Sequence, residues 1–277
     1  MELDKDLQAR QEARCLAKKA DEAQKKLARM SQQQLDTIVE AMANAFSAAA
    51  AELAQMAVKE TGFGNAADKT TKNKFASETV LQAIKPMRTV GVLTEDPKEK
   101  LWQIGVPMGL IAAIVPSTNP TSTVCYKAMI ALKAGNSIVF SPHPKAIGCT
   151  LKAAQIVAQA AERAGAPAGS VGCLTIPSMA GCQELMAAPE VRLILATGGP
   201  AMVRAAYSSG KPAIGVGAGN GPAYITALPM WSRLWNVSSA PRPLITAQSA
   251  LPSRASSWKR IWSSRCVRLP PPQAVTL

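Results

Sequence analysis

The composition of this chain changes after Ile225, and the change limits how much of it can fold around a core. Residues 226–277 contain no aspartate or glutamate, seven of the 31 basic residues and seven prolines. Proline removes a backbone donor from helices and sheets, and the apolar residues of this segment follow neither the helical nor the strand period. We therefore predict a folded body over residues 1–225 and a tail, residues 226–277, that forms no stable structure.

Composition also narrows the functional classes. With 48% apolar residues, a chain of 277 residues can build one or two domains with a real core. No apolar run reaches the roughly 18 residues of a membrane span, and the six cysteines lack the Cys-x-x-Cys pairs typical of zinc sites. The net charge is +13, but +7 of it comes from the tail. We expect a cytoplasmic protein that binds neither nucleic acid nor membrane.

Helical patterns dominate the first third of the body. Residues 8–29 are rich in good helix formers, and Ser31 with Gln34 has the sequence pattern of a capping box. The helix that this box opens has an apolar stripe and a stop at Gly62, and residues 66–84 follow as a further helix. The stripe consists of Leu35, Ile38, Val39, Met42 and Phe46.

The second half of the body alternates between strands and helices. It is preceded by a hairpin arm over residues 89–106, whose short strands, 89–93 and 101–106, flank a charged turn. Buried-strand runs then follow, each ending in a loop and most leading into a helix. This order predicts an α/β fold with a parallel sheet flanked by helices. The runs are 110–115, 137–140, 191–196 and 212–216.

The loops at the carboxyl ends of these strands are the expected place for chemistry. Thr197, Gly198 and Gly199 stand between a strand and a helix, where small residues let a pyrophosphate reach the backbone N–H groups of the helix N-terminus. A tight turn that needs glycine for its backbone geometry explains the same residues equally well. The Gly-x-Gly-x-x-Gly fingerprint of dinucleotide-binding folds is absent, because the glycines of 215–219 alternate with other residues.

Asn119 and His143 are the other polar candidates in these loops. Asn119 follows a strand and lies between Pro116 and Pro120, so its carboxamide is placed to donate to an oxyanion. A turn in which the Asn side chain bonds its own backbone is the alternative. His143, the single histidine, is an acid–base candidate without an evident partner for a catalytic dyad in the sequence.

Taken in order, these motifs resemble the aldehyde dehydrogenase superfamily over residues 20–225. The resemblance is closest to the CoA-acylating acetaldehyde dehydrogenases, including the amino-terminal half of bifunctional aldehyde–alcohol dehydrogenases and the aldehyde enzymes of bacterial microcompartments. It implies a Rossmann-like cofactor-binding domain, with NAD as cofactor and CoA as co-substrate. The motifs that carry it are Thr61-Gly62, Asp68-Lys69, Val115 to Thr123, Phe140 to Pro144, Leu195 to Pro200, and 206–220.

The resemblance also implies roles for individual residues. Asn119 falls on the carboxamide that stabilises the oxyanion of the thiohemiacetal. The loop after the second strand of the sheet falls near the adenosine of the cofactor, and the loop after the third falls on its phosphates and nicotinamide. The cofactor-binding residues implied in this way are Pro116, Ser117, Thr118, Ser141, Pro142, His143, Thr197, Gly198, Gly199 and Gly217.

One departure from the hydrolytic members of the superfamily bears on the reaction. Those members carry a glutamate that activates water in the segment aligned with residues 216–219, where this chain has no carboxylate. A thioester intermediate would then be released by CoA rather than by water. The resemblance thus implies oxidation of a short aldehyde with CoA and NAD to acyl-CoA and NADH, or the reverse reaction.

The nucleophilic cysteine of the family does not occur where the resemblance places it, at Ser249 and Ala250. Residues 242–254 can be encoded by a DNA string that, read two bases later, gives Thr-Phe-Asp-Asn-Gly-Thr-Ile-Cys-Ala-Ser-Glu-Gln, a match to the nucleophile motif of the family. The same shift turns residues 258–262 into an acidic segment. We therefore predict that the tail is an out-of-frame translation, that the catalytic domain is absent and that the chain as written is inactive.

Further expectations concern organisation and partners. Residues 1–19 precede the resemblance and are similar to the encapsulation tails of microcompartment enzymes, which implies a cytoplasmic or microcompartment location. The alternative, which we favour, is a solvated extra turn of helix. The hairpin arm implies a homo-oligomer, as in intact members of the family. The alternatives are a non-catalytic dinucleotide-binding or oligomerising fragment that associates with full-length relatives, and a hydrolytic aldehyde dehydrogenase, which the missing glutamate disfavours.

Overall fold

Helices fill the chain up to the first strand, as the sequence predicts. The computed structural model describes residues 4–217, which fall within one unit, Met1–Ala218. The predicted tail, residues 226–277, lies outside the described residues. The helices are α1 (Lys5–Leu27), α2 (Gln32–Ala48), α3 (Ala50–Thr61), α4 (Ala66–Lys74) and α5 (Val80–Ile84), with a π-helical turn, Phe75–Thr79, between α4 and α5.

The predicted capping box is confirmed at the start of α2. The Gln34 N–H donates to the Ser31 hydroxyl oxygen at 3.3 Å, and the Ser31 N–H donates to Gln34 Oε1 at 2.9 Å. The predicted stop at Gly62 is also confirmed, in a left-handed conformation with φ +71° that glycine adopts without strain. The single helix predicted between these points is wrong, because the helix is interrupted at Ala49 and continues as α3.

The hairpin is present, but its first strand begins at Gly91 rather than at residue 89 and ends later than predicted. Strand β1 (Gly91–Asp96) pairs antiparallel with β2 (Leu101–Gly105), so β1 continues past the predicted end at residue 93. The Thr94 hydroxyl bonds Gln103 Oε1 across the pair at 3.0 Å, which extends the ladder. The Asp96 carboxylate accepts the N–H groups of Lys98 and Glu99 and closes the turn.

A five-stranded parallel sheet forms the rest of the described chain, in the order β5-β4-β3-β6-β7. Chain order reverses between β3 and β6, the point at which open α/β sheets bind ligands. The predicted strands are confirmed; the short β5 and the helix α8 were not predicted, although Ser178 caps α8 by accepting the Gly181 N–H. The elements are β3 (Leu110–Ile114), α6 (Pro120–Lys133), β4 (Ser137–Ser141), α7 (Ile147–Arg163), β5 (Val171–Cys173), α8 (Met179–Ala187), β6 (Val191–Thr197), α9 (Pro200–Tyr207) and β7 (Ala213–Val216).

Alternate residues of the sheet face two separate apolar layers. Helices α2, α6 and α7 cover one face, which includes Ile111 and Phe140, and the predicted stripe of α2 is buried there. Helices α1, α8 and α9 cover the other face, which includes Ala112 and Val139. Helix α1 runs without a break across the boundary predicted after residue 19, and the Glu12 carboxylate accepts the Thr175 and Ile176 N–H groups.

Candidate functional site

The two loops predicted to carry chemistry lie next to each other at the point where chain order reverses. Strands β3 and β6 pair in parallel, with Ile114 opposite Ala196 at their carboxyl ends. The segment from Val115 to Asn119 leaves β3 there, and the Thr197-Gly198-Gly199 segment leaves β6 beside it. The fold therefore places the predicted oxyanion donor and the predicted phosphate loop on the same edge of the sheet.

Asn119 begins α6 without using its side chain. Its carbonyl oxygen accepts from the Thr123 N–H at 3.3 Å and from the Thr123 hydroxyl at 2.7 Å. Its half-buried carboxamide caps no N–H group and makes no hydrogen bond with any residue between 4 and 217. The alternative in which the Asn side chain closes a turn therefore finds no support, and the carboxamide is free to donate to a ligand.

The glycines after β6 are not required by the backbone geometry. Neither Gly198 nor Gly199 has a positive φ, and a Cβ added at Gly199 would meet nothing within 4 Å. Gly199 begins α9 without a side-chain cap, so the first-turn N–H groups of this helix lack a side-chain acceptor. Gly217, at the end of β7, is equally open. The alternative of a tight turn that needs glycine for its backbone geometry therefore finds no support at these residues.

The Thr197 side chain is occupied within the protein, and Ser141 is buried. The Thr197 hydroxyl donates to the Ile114 carbonyl oxygen at 2.8 Å and so ties β6 to β3. Its proton is therefore not free for a cofactor. Ser141, the last residue of β4, is 5% exposed.

His143 forms a local turn rather than a dyad. Its Nδ1 accepts the Lys145 N–H at 3.0 Å, so the proton of the neutral ring lies on Nε2. Burial and then the Lys145 charge lower its pKa, which keeps the ring neutral at pH 7. The loop stays a predicted contact for the adenosine, while the acid–base interpretation finds no partner among residues 4–217.

The buried cysteines of the described chain are poor nucleophiles. Burial raises the pKa of Cys125 and Cys173, and burial followed by the Glu60 carboxylate raises that of Cys149 to about 12. A thiol with a raised pKa is protonated at neutral pH and does not attack a carbonyl. Nor does any group of three His, Cys, Asp or Glu residues between 4 and 217 form a metal site.

Sequence reasoning missed Lys127, which lies beneath both loops. It is 2% exposed, and its Nζ donates to the carbonyl oxygens of Ile114 at 3.0 Å and Leu195 at 2.7 Å, and to the Thr197 hydroxyl at 3.0 Å. Its terminal amino group thus connects β3 to β6 at the edge of the sheet where the two loops leave. A lysine inside the apolar run of α6 was the signal, because a charge there must be either exposed or fully hydrogen-bonded.

Lys127 is expected to make stability depend on pH. Burial lowers its pKa from the ordinary 10.5 to about 7. Between these values the unfolded chain binds a proton that the folded chain has released, so this residue makes the unfolding free energy rise with pH. The slope approaches about 1.4 kcal/mol per pH unit. Denaturant unfolding at pH 7, 8 and 9 should show a steeper rise in the native chain than in Lys127→Met, whose remaining rise comes from Lys69 and Lys72. Lys74→Met, on the exposed side of α4, is the control, and parallel curves for Lys127→Met and the native chain would contradict the expectation.

A model of the "Aldehyde dehydrogenase family" matches residues 6–221 of this sequence. This chain belongs to the aldehyde dehydrogenase family. It is 51% identical over 214 residues to the bifunctional aldehyde-alcohol dehydrogenase AdhE of Escherichia coli strain K12, covering 77% of this chain and 24% of that protein. Within residues 4–217, no helix is long and apolar enough to cross a bilayer.

Solved structures of family members share the fold. An acetylating aldehyde dehydrogenase from Geobacillus thermoglucosidasius superposes with a TM-score of 0.79 at 56% identity, over 81% of this chain and 50% of that one. A propionaldehyde dehydrogenase from the fucose utilisation microcompartment of Clostridium phytofermentans superposes with a TM-score of 0.64 at 34% identity, over 74% and 47%. The chain therefore spans about half the length of these structures and about a quarter of the bifunctional relative.

Proposed function

We propose that this chain carries the NAD-binding part of a CoA-acylating aldehyde dehydrogenase. The observation that supports this most is the meeting of the Asn119 loop and the open 197–199 loop at the sheet position where chain order reverses. The relative named as an acetylating aldehyde dehydrogenase, at 56% identity, supports the choice of CoA as acyl acceptor. A short aldehyde is the proposed substrate.

The residues that fit a dinucleotide are those whose backbone, and the space beside it, are not covered by side chains. Gly198, Gly199 and Gly217 would take the phosphates, because an added Cβ meets only Met202 at 3.8 Å near the first and nothing near the others. The half-buried residues Pro116, Ser117 and Thr118 and the 141–143 loop would line the remaining contacts. When bound, NAD supplies the acceptor for the hydride that leaves the aldehyde carbon.

Asn119 would act on the aldehyde oxygen. Attack of a cysteine thiolate on the carbonyl puts a negative charge on that oxygen, and a carboxamide N–H held by α6 would donate to it. Burial raises the pKa values of Cys125, Cys149, Cys173 and Cys182, so we place this thiolate in the predicted out-of-frame segment instead. With no carboxylate in residues 216–219 to activate water, CoA would release the acyl group.

Weak NAD binding by the 277-residue chain is the expected result that tests this proposal. Calorimetric titration should show NAD binding with a dissociation constant of about 1 mM, which corresponds to a binding free energy of roughly −4 kcal/mol. Gly199→Val should abolish it, because the side chain would fill the open space while its φ of −68° suits valine. The unfolding midpoint of the variant serves as the control. NAD binding by Gly199→Val equal to that of the native chain would remove the proposed phosphate site.

The hairpin supports a second role in self-association. Leu101, Trp102 and Ile104 on β2 are all more than half exposed, which is uncommon for large apolar side chains of a monomer. A homo-oligomer joined through this arm, or a non-catalytic fragment that joins full-length relatives, would cover them.

We place the protein in the cytoplasm or, by analogy with the relative from Clostridium phytofermentans, in a bacterial microcompartment.

A further inference from the structure

Helix α4 is held firmly against the start of α6. The carboxamide of Asn73 donates to the Ala50 carbonyl oxygen at 2.9 Å, and its Oδ1 accepts from the Thr121 hydroxyl at 2.9 Å. Asn73 is 1% exposed, so these bonds are shielded from water. The helix therefore stands at a fixed position beside the loop that carries Asn119.

Two lysines lie one turn apart on this helix. Lys69 is 7% exposed, and its Nζ donates to the Thr118 carbonyl oxygen at 2.7 Å, which leaves two of its three ammonium N–H donors without a protein partner among residues 4–217. Lys72 is half-buried, and its ammonium makes no hydrogen bond or ion pair with any residue in that range. Residues three apart are neighbours on a helix surface, so both charges belong to one patch.

No carboxylate in the described chain neutralises this pair. Asp68 is engaged by the Asn65 amide at 2.7 Å, and the Glu60 carboxylate accepts the Gly148 and Cys149 N–H groups at 2.8 Å. The Cys149 thiol, the other titratable group near Lys69, has its pKa raised to about 12 and is neutral.

The other buried lysines of the described chain have hydrogen-bond or ion-pair partners for their side-chain nitrogens, which distinguishes them from this pair. Lys133 is 3% exposed and pairs with the Asp36 carboxylate at 2.7 Å, while three oxygens accept from Lys127. Burial and then the charge of Lys72 lower the pKa of Lys69 to about 8, and burial lowers that of Lys72. Desolvated cations that repel each other create a site for an anion.

We propose that Lys69 and Lys72 bind an oxyanion, a phosphate or carboxylate group of the ligand that occupies the crevice beside Asn119. The Lys69 contact with the Thr118 carbonyl oxygen fixes this site to the loop of the proposed oxyanion donor. The bound anion would restore the charge balance and favour the protonated form of Lys69. The identity of this ligand rests on the proposed function, whereas anion binding itself is measured without NAD or turnover, so the two can fail separately.

Calorimetric titration of the 277-residue chain with inorganic pyrophosphate at pH 8 tests this directly. Lys72→Gln should weaken binding about tenfold, the usual size of one partly screened charge-assisted contact. Lys74→Gln removes a charge from the exposed side of the same helix and should leave the affinity unchanged. Lys72 has no protein partner in the described chain, so its replacement does not disturb the fold.

Proton uptake separates a binding role of Lys69 from a structural one. Because its pKa is about 8, binding at pH 8 should draw up to about half a proton, seen as a heat that changes with the ionisation enthalpy of the buffer. Displacement of pyrophosphate by CoA but not by pantetheine would identify a phosphate ligand, and displacement by succinate would identify a carboxylate. No pyrophosphate binding at millimolar concentration, or equal effects of Lys72→Gln and Lys74→Gln, would overturn the proposal. Binding without proton uptake would remove Lys69 from the site.

Discussion

Inserting one base near codon 226 is expected to convert an inactive chain into a CoA-dependent aldehyde dehydrogenase. The reaction needs a thiolate, and the buried cysteines of the described chain have raised pKa values. The predicted shift of frame would restore a cysteine at the codon that spans Ser249 and Ala250. We expect CoA-dependent NADH formation from acetaldehyde to rise about a thousandfold or more over the 277-residue chain, by analogy with the loss seen when a nucleophile is removed.

The matched control is the frame-corrected protein with that single cysteine changed to alanine. It should fold and bind NAD as the corrected protein does, yet form no NADH. Sequencing of the coding DNA against a close relative gives an independent check of the inserted or missing base. Activity of the unmodified 277-residue chain well above a no-enzyme blank would refute the out-of-frame interpretation.

Asn119→Ala in the frame-corrected protein is expected to lower kcat by about 10²- to 10³-fold, the usual cost of one oxyanion donor. KM should change little, because the donor acts on charge that develops only in the transition state. The unfolding free energy should stay within about 0.5 kcal/mol, since the carboxamide bonds no residue of the described chain.

Asn73→Ala is the positive control for a loss of stability, against which Asn119→Ala is compared. Asn73 is buried, and its carboxamide bonds Ala50 and Thr121, so its removal should destabilise the fold by about 1–3 kcal/mol. Urea unfolding of both variants measures the contrast. A large loss of stability in Asn119→Ala would show that the asparagine is structural and would end its assignment as an oxyanion donor.

The sequence was sufficient for features that depend on neighbours in the chain. The capping box at Ser31, the stop at Gly62 and the buried run of β3 all follow from local spacing, and the structure confirms each. Strand β5 was missed because three residues containing Gly172 give no period to detect. The end of α2 at Ala48 was missed because alanines on both sides favour an unbroken helix.

The site was predictable in its loops but not in its lysines. The order of strand and loop was enough to place Asn119 and the 197–199 segment at the sheet edge. The burial of Lys127 depends on oxygens from β3 and β6, which are far apart in sequence and meet only when the sheet forms. Lys69 likewise acquires its contact with Thr118 only through the packing of α4 on α6. Such long-range pairings leave no periodic trace in the chain.

The packing of α1 has a consequence for the order of events during synthesis. Its buried alanines and Glu12 meet partners on α8 and at Thr175, which leave the ribosome long after α1 itself. At 5–20 residues per second, the delay is roughly ten to thirty seconds. Until then the apolar face of the first helix has no native surface to cover it and is open to chaperones. Helix α1 is the first helix to be synthesised, yet the face of the sheet that it covers is therefore among the last parts of the fold to be buried.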